Sequence, residues 1–482
     1  MVQLSIILAV LSKVPLASKV ALLHMLRMSE ASKYQTLRVE LSVAVIRSFL
    51  AATPAPSMTT LQSFFAIDIP VKGKIWISKY SVPVPAESDV AGAVARAIDG
   101  LSTPEIAKMD RSRMPEPVPV AAEWTGYRAN AKDDSDPPAL PEKELYAEMM
   151  KEVKTPVTVL YFHGGAYCIM EPSNYRPLNQ KLAKLTGGRC YSVSYRLAPQ
   201  NPFPAALMDA LSSYLGLLYP APDAFHEPVR PEHIVLCGDS AGAHLSMALV
   251  QTLLELKRQG AQVLWQGQQR DVPLPAGMAM NSPWADITVS SPSCKSNAAF
   301  DYLPTLEQQV DVEAGRPACA AWPANPPRTT MYAEDRLVMH PLVSPLLAPA
   351  GSWAGAPPAY ICTGWELVAD EDKLTATRLH EDGVPVVFEE YEAMPHIFAV
   401  VFPDIDVTRR CMDGWAGFIN RVVEAPAAVR SSFVTIKAKT LAEVDLDPDT
   451  LAPYDLDYFR ERVKVRLQMG WVRDSGLGLV KA

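Results

Sequence analysis

The chain has 482 residues, 49% of them hydrophobic and 20% charged, with a formal net charge of −8. That balance is ordinary for a globular protein and argues against a dedicated nucleic-acid binder, whose footprint is usually basic. The length admits one large domain or two to three smaller ones and buries a sizeable core without disulfide staples.

The chain opens with a short apolar stretch, Leu4 to Leu11, that lacks a basic leader and a small-residue cleavage site. It reads as a helix packed on the body, with a shallow membrane contact as the alternative. Residues 1–65 read as an N-terminal helical segment contributing to a cap. "YQTLRVELSVAVIRSFLAA" is its clearest amphipathic run, and Pro54, Pro56 and Ser57 end the pattern. Residues 66–285 read as the first part of a core. "GKIWISKYSVPV" and "VPVAAEWTGYRA" are outer strands, and residues 130–143 form a polar, proline-rich loop. From about residue 154 the order is regular: "TPVTVLYF", "GGRCYSVSY", "EHIVLCG", "AGMAMNS", "PPAYICTG" and "VPVVFEEY" are apolar strands separated by helical patterns. Strands alternating with helices predict an α/β fold with a mostly parallel central sheet covered on both faces. Residues 286–356 interrupt the rhythm and are too long for a crossover, so they read as a helical cap insertion. Residues 357–435 then form the second part of the core, and 436–482 a C-terminal helical extension.

The seven cysteines are odd in number and widely spaced, with no CxxC pair and no Cys/His cluster. No metal site is expected. Cys190, Cys237 and Cys362 fall in strand runs, as small buried hydrophobes. These features predict a cytoplasmic, disulfide-free protein. No run approaches 18 apolar residues.

"GDSAG", Gly238 to Gly242, fits G-x-S-x-G, with a strand before it and a helix-forming run after it. Small residues let the backbone make a strained turn that projects Ser240 above a helix N-terminus, where developing negative charge is favoured. A serine nucleophile creates an oxyanion that needs unobstructed N–H donors. "YFHGGAY", directly after a strand, offers Gly164 and Gly165, and Ala241 adds a third donor. His163 reads as an anchor for that loop.

"HGG", "YRLAPQNPFPAALMDA" and "GDSAG" together closely resemble the hormone-sensitive-lipase-like family of α/β-hydrolases, which includes arylacetamide deacetylases and steryl acetyl hydrolases. The resemblance covers about residues 155–300 and 357–402. Outside it the chain looks like filamentous-fungal members. Most members carry a third glycine where this chain has Ala166, a small departure because alanine also lacks bulk. The resemblance implies an α/β-hydrolase fold with a helical cap, a serine triad and no cofactor.

Triads of that fold place the histidine last. His24, His163, His226 and His233 precede Ser240, His244 lies one turn past it, His340 falls in the insertion and His380 in a helical pattern. His396 follows the last strand and is the expected base. The acid should follow "AYICT", which leaves Glu366, Asp370, Glu371 and Asp372. Aligned on the family pattern, Glu366 falls on the catalytic acid and Asp370 on a second carboxylate, although aspartate is usual at the first place. Glu371 and Asp372 read as a solvated cluster at a helix start. Arg196 and Asp209 are expected to pair and fix a loop, and Asp239 to brace the elbow. Tyr167, Trp284, Trp365 and His340 are candidates for the pocket wall.

The expected function is hydrolysis of an ester of a hydrophobic small molecule, acetyl esters included, through an acyl-enzyme. Acyl transfer, cyclisation or condensation in secondary metabolism would use the same triad, and an inactive small-molecule receptor would lack part of it. A peripheral membrane contact and a homodimer stay open.

Overall fold

The computed structural model describes residues 11–469 except 69, 104, 105 and 107. Residues 4–10 of the apolar stretch and 470–482 of the C-terminal extension lie outside the described residues. Among the described residues twelve strands follow in chain order: β1 (Ile75–Val82), β2 (Val120–Tyr127), β3 (Thr158–Phe162), β4 (Arg189–Val193), β5 (Ile234–Asp239), β6 (Val263–Trp265), β7 (Gln268–Arg270), β8 (Gly277–Asn281), β9 (Ala359–Gly364), β10 (Val386–Tyr391), β11 (Ser432–Ile436) and β12 (Glu443–Asp445). Ten of them form one sheet in the order β1-β2-β4-β3-β5-β8-β9-β10-β11-β12. Pairing is parallel from β4 to β11 and antiparallel at both margins.

Every residue of β3, β5, β8 and β9 is buried. Their side chains alternate between two faces, as the strand period of two requires. Leu160, Leu236 and Met278 join the helices Val90–Leu101, Ala205–Leu218 and Ala241–Arg258 on one side. Val159, Val235, Cys237 and Cys362 join the helices Arg176–Thr186 and Asp406–Glu424 on the other. A continuous apolar strand is the sequence trace of that double cover.

The expected fold class stands: an α/β-hydrolase fold with a mostly parallel sheet between helices. Two local expectations need correction, and one hairpin is added. β11 ends the second part of the core as a strand not singled out in the sequence, and β12 lies in the extension expected to be helical, because "SFVTI" is rich in β-formers and extends the sheet beyond β10. The helix Leu456–Met469 follows them. β6 and β7 form a separate hairpin whose turn residues Gln266 and Gly267 both have positive φ (52° and 71°), the geometry of a tight two-residue turn. The insertion 286–356 carries little α-helix, Ser293–Ser296 and Leu306–Ala314. Its nine prolines leave most of the segment irregular. Its last third is core: Leu337, Val338, Leu342, Val343 and Leu346 are buried.

Candidate active site

The carboxyl ends of β3, β5, β8, β9 and β10 point to one edge of the sheet, the edge that collects ligands in parallel α/β folds. Ser240 links β5 to the helix Ala241–Arg258 with φ 50° and ψ −118°. A serine in that region stores strain of about 1–3 kcal/mol, held here by its surroundings. Ser240 N–H donates to Asn281 O at 3.0 Å, and Trp284 N–H donates to Ser240 O at 3.2 Å. The strain therefore sits on the serine. Gly242 serves close approach instead: a Cβ there would meet Phe162 O at 1.9 Å.

The loop after β3 turns through three consecutive positive φ values, Gly165 (101°), Ala166 (51°) and Tyr167 (62°). The expectation for Gly164 is corrected. Its N–H is spent on Asp239 Oδ1 at 3.0 Å and Tyr175 Oη at 3.1 Å, so it is no free donor. Gly165 and Ala166 N–H make no hydrogen bond among the described residues, and Ala241 N–H is an orphan donor of the first helical turn. Gly165, Ala166 and Ala241 are thus the amides available to an oxyanion. Positive φ, rather than bulk, makes Ala166 an unusual choice.

Asp239 is fully buried and also accepts from Tyr161 Oη (2.7 Å) and Tyr175 Oη (2.9 Å). Burial pushes its pKa up to about 6 against the pull of these donors. It ties the glycine loop to the elbow. The His163 ring hydrogen-bonds Gly164 O through Nδ1 (2.7 Å) and stacks on Tyr195 at 4.3 Å. Burial pulls its pKa down to about 4, so it stays neutral. Arg196 and Asp209 form a bidentate pair, with Arg196 N–H also donating to Asp209 Oδ2 at 2.8 Å.

His396 follows β10 in a bend whose Ala393 and Ile397 have positive φ. Its Nδ1 hydrogen-bonds Glu366 Oε2. Among the described residues the ring has no other hydrogen bond, and Ser240 Oγ has none, so Nε2 is unengaged. Glu366 Oε1 accepts from Ser282 Oγ (2.7 Å), Thr363 Oγ1 (2.8 Å) and Gly364 N–H (2.8 Å), all fully buried. Burial alone would lower the pKa of His396, but Glu366, Asp301 and Asp239 outweigh it and hold the imidazole above its usual value. Burial favours neutral Glu366, yet His396, Gly364 N–H and Ser282 Oγ hold it below the usual carboxylate range.

Asp370 does not reach the histidine. Its Oδ2 accepts Ser293 N–H at 2.8 Å, which pins the first turn of the helix Ala369–Glu381 to the insertion. The solvated cluster expected of Glu371 and Asp372 is also corrected. Both are fully buried, because this face of the helix turns toward the sheet, and burial pushes both pKa values well up. Asp372 Oδ2 hydrogen-bonds the same Thr363 hydroxyl at 2.6 Å, whose single proton serves one carboxylate at a time.

The pocket candidates divide. Tyr167 stacks on Tyr332 of the insertion at 3.8 Å and stands edge-on to His244. Trp284 N–H donates to the Ser240 carbonyl, and Trp365 packs edge-on against Tyr34 and Phe300. His340 is a core residue: Nε2 faces Ile98 O at 3.0 Å, and Nδ1 accepts Leu342 N–H at 3.1 Å. Missed in the sequence were Ser282, Thr363 and Asp301. Ser282 and Thr363 end β8 and β9 beside the site, a position that strand assignment alone could have flagged.

The sequence matches the family described as alpha/beta hydrolase fold over residues 159–400. The chain belongs to the α/β-hydrolase family. Within that family it is related to an acetyl-hydrolase and to esterases. An acetyl-hydrolase of Streptomyces hygroscopicus is 30% identical over 265 residues, 55% of this chain and 75% of that protein. An esterase of Acinetobacter venetianus is 28% identical over 249 residues, 51% of this chain and 69% of that protein. The crystal structure of an esterase from the bacterial hormone-sensitive lipase family superposes with TM-score 0.52 at 22% identity, covering 81% of this chain and 99% of that one. That likeness concerns the fold of this hydrolase.

Proposed function

We propose that this α/β-hydrolase is a serine carboxylic ester hydrolase with Ser240 as nucleophile, His396 as general base and Glu366 as the acid that orients it. The observation that carries the assignment is the buried Glu366–His396 pair at the same sheet edge as a serine held in a strained elbow. Glu366 accepts from Nδ1 and so presents Nε2 as the basic nitrogen toward Ser240. Ser240 Oγ attacks the ester carbonyl as its proton passes to His396. The tetrahedral oxyanion is met by the amides of Gly165, Ala166 and Ala241. His396 then protonates the leaving alcohol and takes a proton from the water that releases the acyl group.

The substrate is a small hydrophobic ester, and the name of the Streptomyces relative supports testing acetyl esters first. Intact wild-type protein should take one organophosphate per chain at Ser240, and Ser240→Ala should take none while melting normally. Stoichiometric labelling of the alanine variant would sink the assignment. The complete Ser240–His396–Glu366 set argues against an inactive receptor.

The place of work is read from residues 11–28. The helix Val14–Met25 has no buried residue. Leu11, Val14, Leu22, Met25, Leu26 and Met28 are exposed, while Lys13, Lys19 and Arg27 are the charges of this stretch before Glu30. An apolar stripe with cations and no acid suits the surface of an anionic bilayer. No described helix is long and apolar enough to cross one. Full-length protein should co-sediment with phosphatidylserine-containing vesicles, and Leu22→Glu with Met25→Glu should abolish this. A concentration-dependent dimer without vesicle binding would instead make the stripe a homodimer contact. A cytoplasmic place, a fungal source and a role in secondary metabolism rest on the sequence alone.

A further inference from the structure

Asp301 lies in the insertion, in "NAAFD" (297–301), outside the motifs quoted above. Its carboxylate is fully buried and spans both loops that carry the proposed base and acid. Oδ1 accepts His396 N–H at 3.2 Å and Leu303 N–H at 3.2 Å, and Oδ2 accepts Leu367 N–H at 2.8 Å. The rest of the strap binds the same neighbourhood. Asn297 Nδ2 donates to Glu366 O at 3.0 Å, and Gln35 Nε2 donates to Phe300 O at 3.1 Å and to Ala393 O at 2.8 Å. Arg47 donates to Ala298 O.

We propose that Asp301 is a positioning residue of the reaction: it holds the acid loop and the histidine loop in register and gives His396 a second negative neighbour. This rests on the triad reading above. A fully buried carboxylate with three backbone donors is costly to desolvate, and aliphatic packing would close a loop junction more cheaply. The charge has a use here, because the imidazolium formed in the transition state develops beside it.

The groups facing His396 are Glu366, Asp239, Asp301 and the Tyr302 ring, whose centroid lies 6.4 Å away. Arg47 of the N-terminal helix Leu37–Leu50 faces Asp301 and is the cation that partly offsets it. Burial pushes Asp301 itself upward, and Glu366 adds to that push, while His396 opposes it. Glu366 touches the ring and does the larger share of holding His396 protonated; Asp301 adds to it through space.

Asp301→Asn keeps the size and removes the charge, and Asp301→Glu keeps the charge. Kinetics of a soluble acetyl ester over pH 5–9 are measured for both, with thermal melts and organophosphate labelling. The expected result for Asp301→Asn is a kcat lower by on the order of 10² with KM little changed, the cost of a small misplacement. The acid limb of its kcat/KM profile should also move to lower pH. Asp301→Glu should keep the limb in place. A merely structural role would lower folded protein without moving the limb. Wild-type kcat and an unmoved limb in folded Asp301→Asn would overturn the proposal. If Asp301→Asn does not fold, Asn297→Ala decides: reduced kcat at unchanged KM supports the strap's role, and wild-type kcat overturns it. Labelling at Ser240 persists, more slowly, in all of these variants. A fault in the triad reading shows separately, as labelling that survives Ser240→Ala.

Discussion

At the scale of single residues, the proposed acid and its rival are distinguished by contact. Glu366 touches His396 and Asp370 touches Ser293, so their amide variants should behave differently. Glu366→Gln should keep the fold and lose on the order of 10⁴ in kcat, the loss known for the equivalent change in another serine hydrolase. Asp370→Asn should act mainly on stability; steady-state kinetics with parallel melts separate the two. The pH dependence has a definite sign. His396 must be neutral to act as base, and its pKa lies above the usual imidazole value, so the acid limb of kcat/KM should lie above pH 6.5. Glu366→Gln removes the nearest negative charge, and any residual activity should show that limb at lower pH. For stability the sign runs the other way. A raised histidine stabilises the fold below its unfolded pKa, and that contribution is lost as pH rises through the folded value.

At the scale of elements, the late segments of the chain brace the site from outside it. The helix Leu456–Met469 buries Phe459 and Val463, and Arg462 and Arg466 donate to the carbonyls of Ser290 and Thr288 in the insertion. Phe459→Ala should destabilise by about 3–5 kcal/mol, the usual cost of emptying a buried aromatic site. Urea unfolding measures this, and organophosphate labelling should persist below the transition. The N-terminal helices and the insertion meet over the same sheet edge. Gln62 donates to Cys168 O at 3.0 Å and to Ala198 O at 3.1 Å, beside the glycine loop, and Tyr332 covers Tyr167. Elements with such contacts are well placed to set substrate size.

At the scale of the whole molecule, the core stands without covalent staples. All seven cysteines are free, six of them buried, with Cys362 and Cys411 in contact at 3.7 Å between sulfurs. Intact mass after alkylation under denaturing conditions should therefore be the same with and without prior reduction. The sequence by itself determined the α/β layering, eight of the ten strands of the main sheet, and the elbow serine. These are local signals: apolar runs long enough for strands, helical periodicity between them, and a strained turn that only a small set of residues tolerates. It also singled out His396, by its order in the chain, as the proposed base. What the tertiary structure decided is pairwise. That Gly164 N–H is consumed by Asp239 and Tyr175, that His340 serves the core, that Glu371 and Asp372 are buried, and that Asp301 reaches two loops 66 and 95 positions away all depend on which segments meet. A hydrogen bond leaves its mark on two residues far apart in the chain, and one sequence shows no coupling between them, so only the folded arrangement could assign these partners.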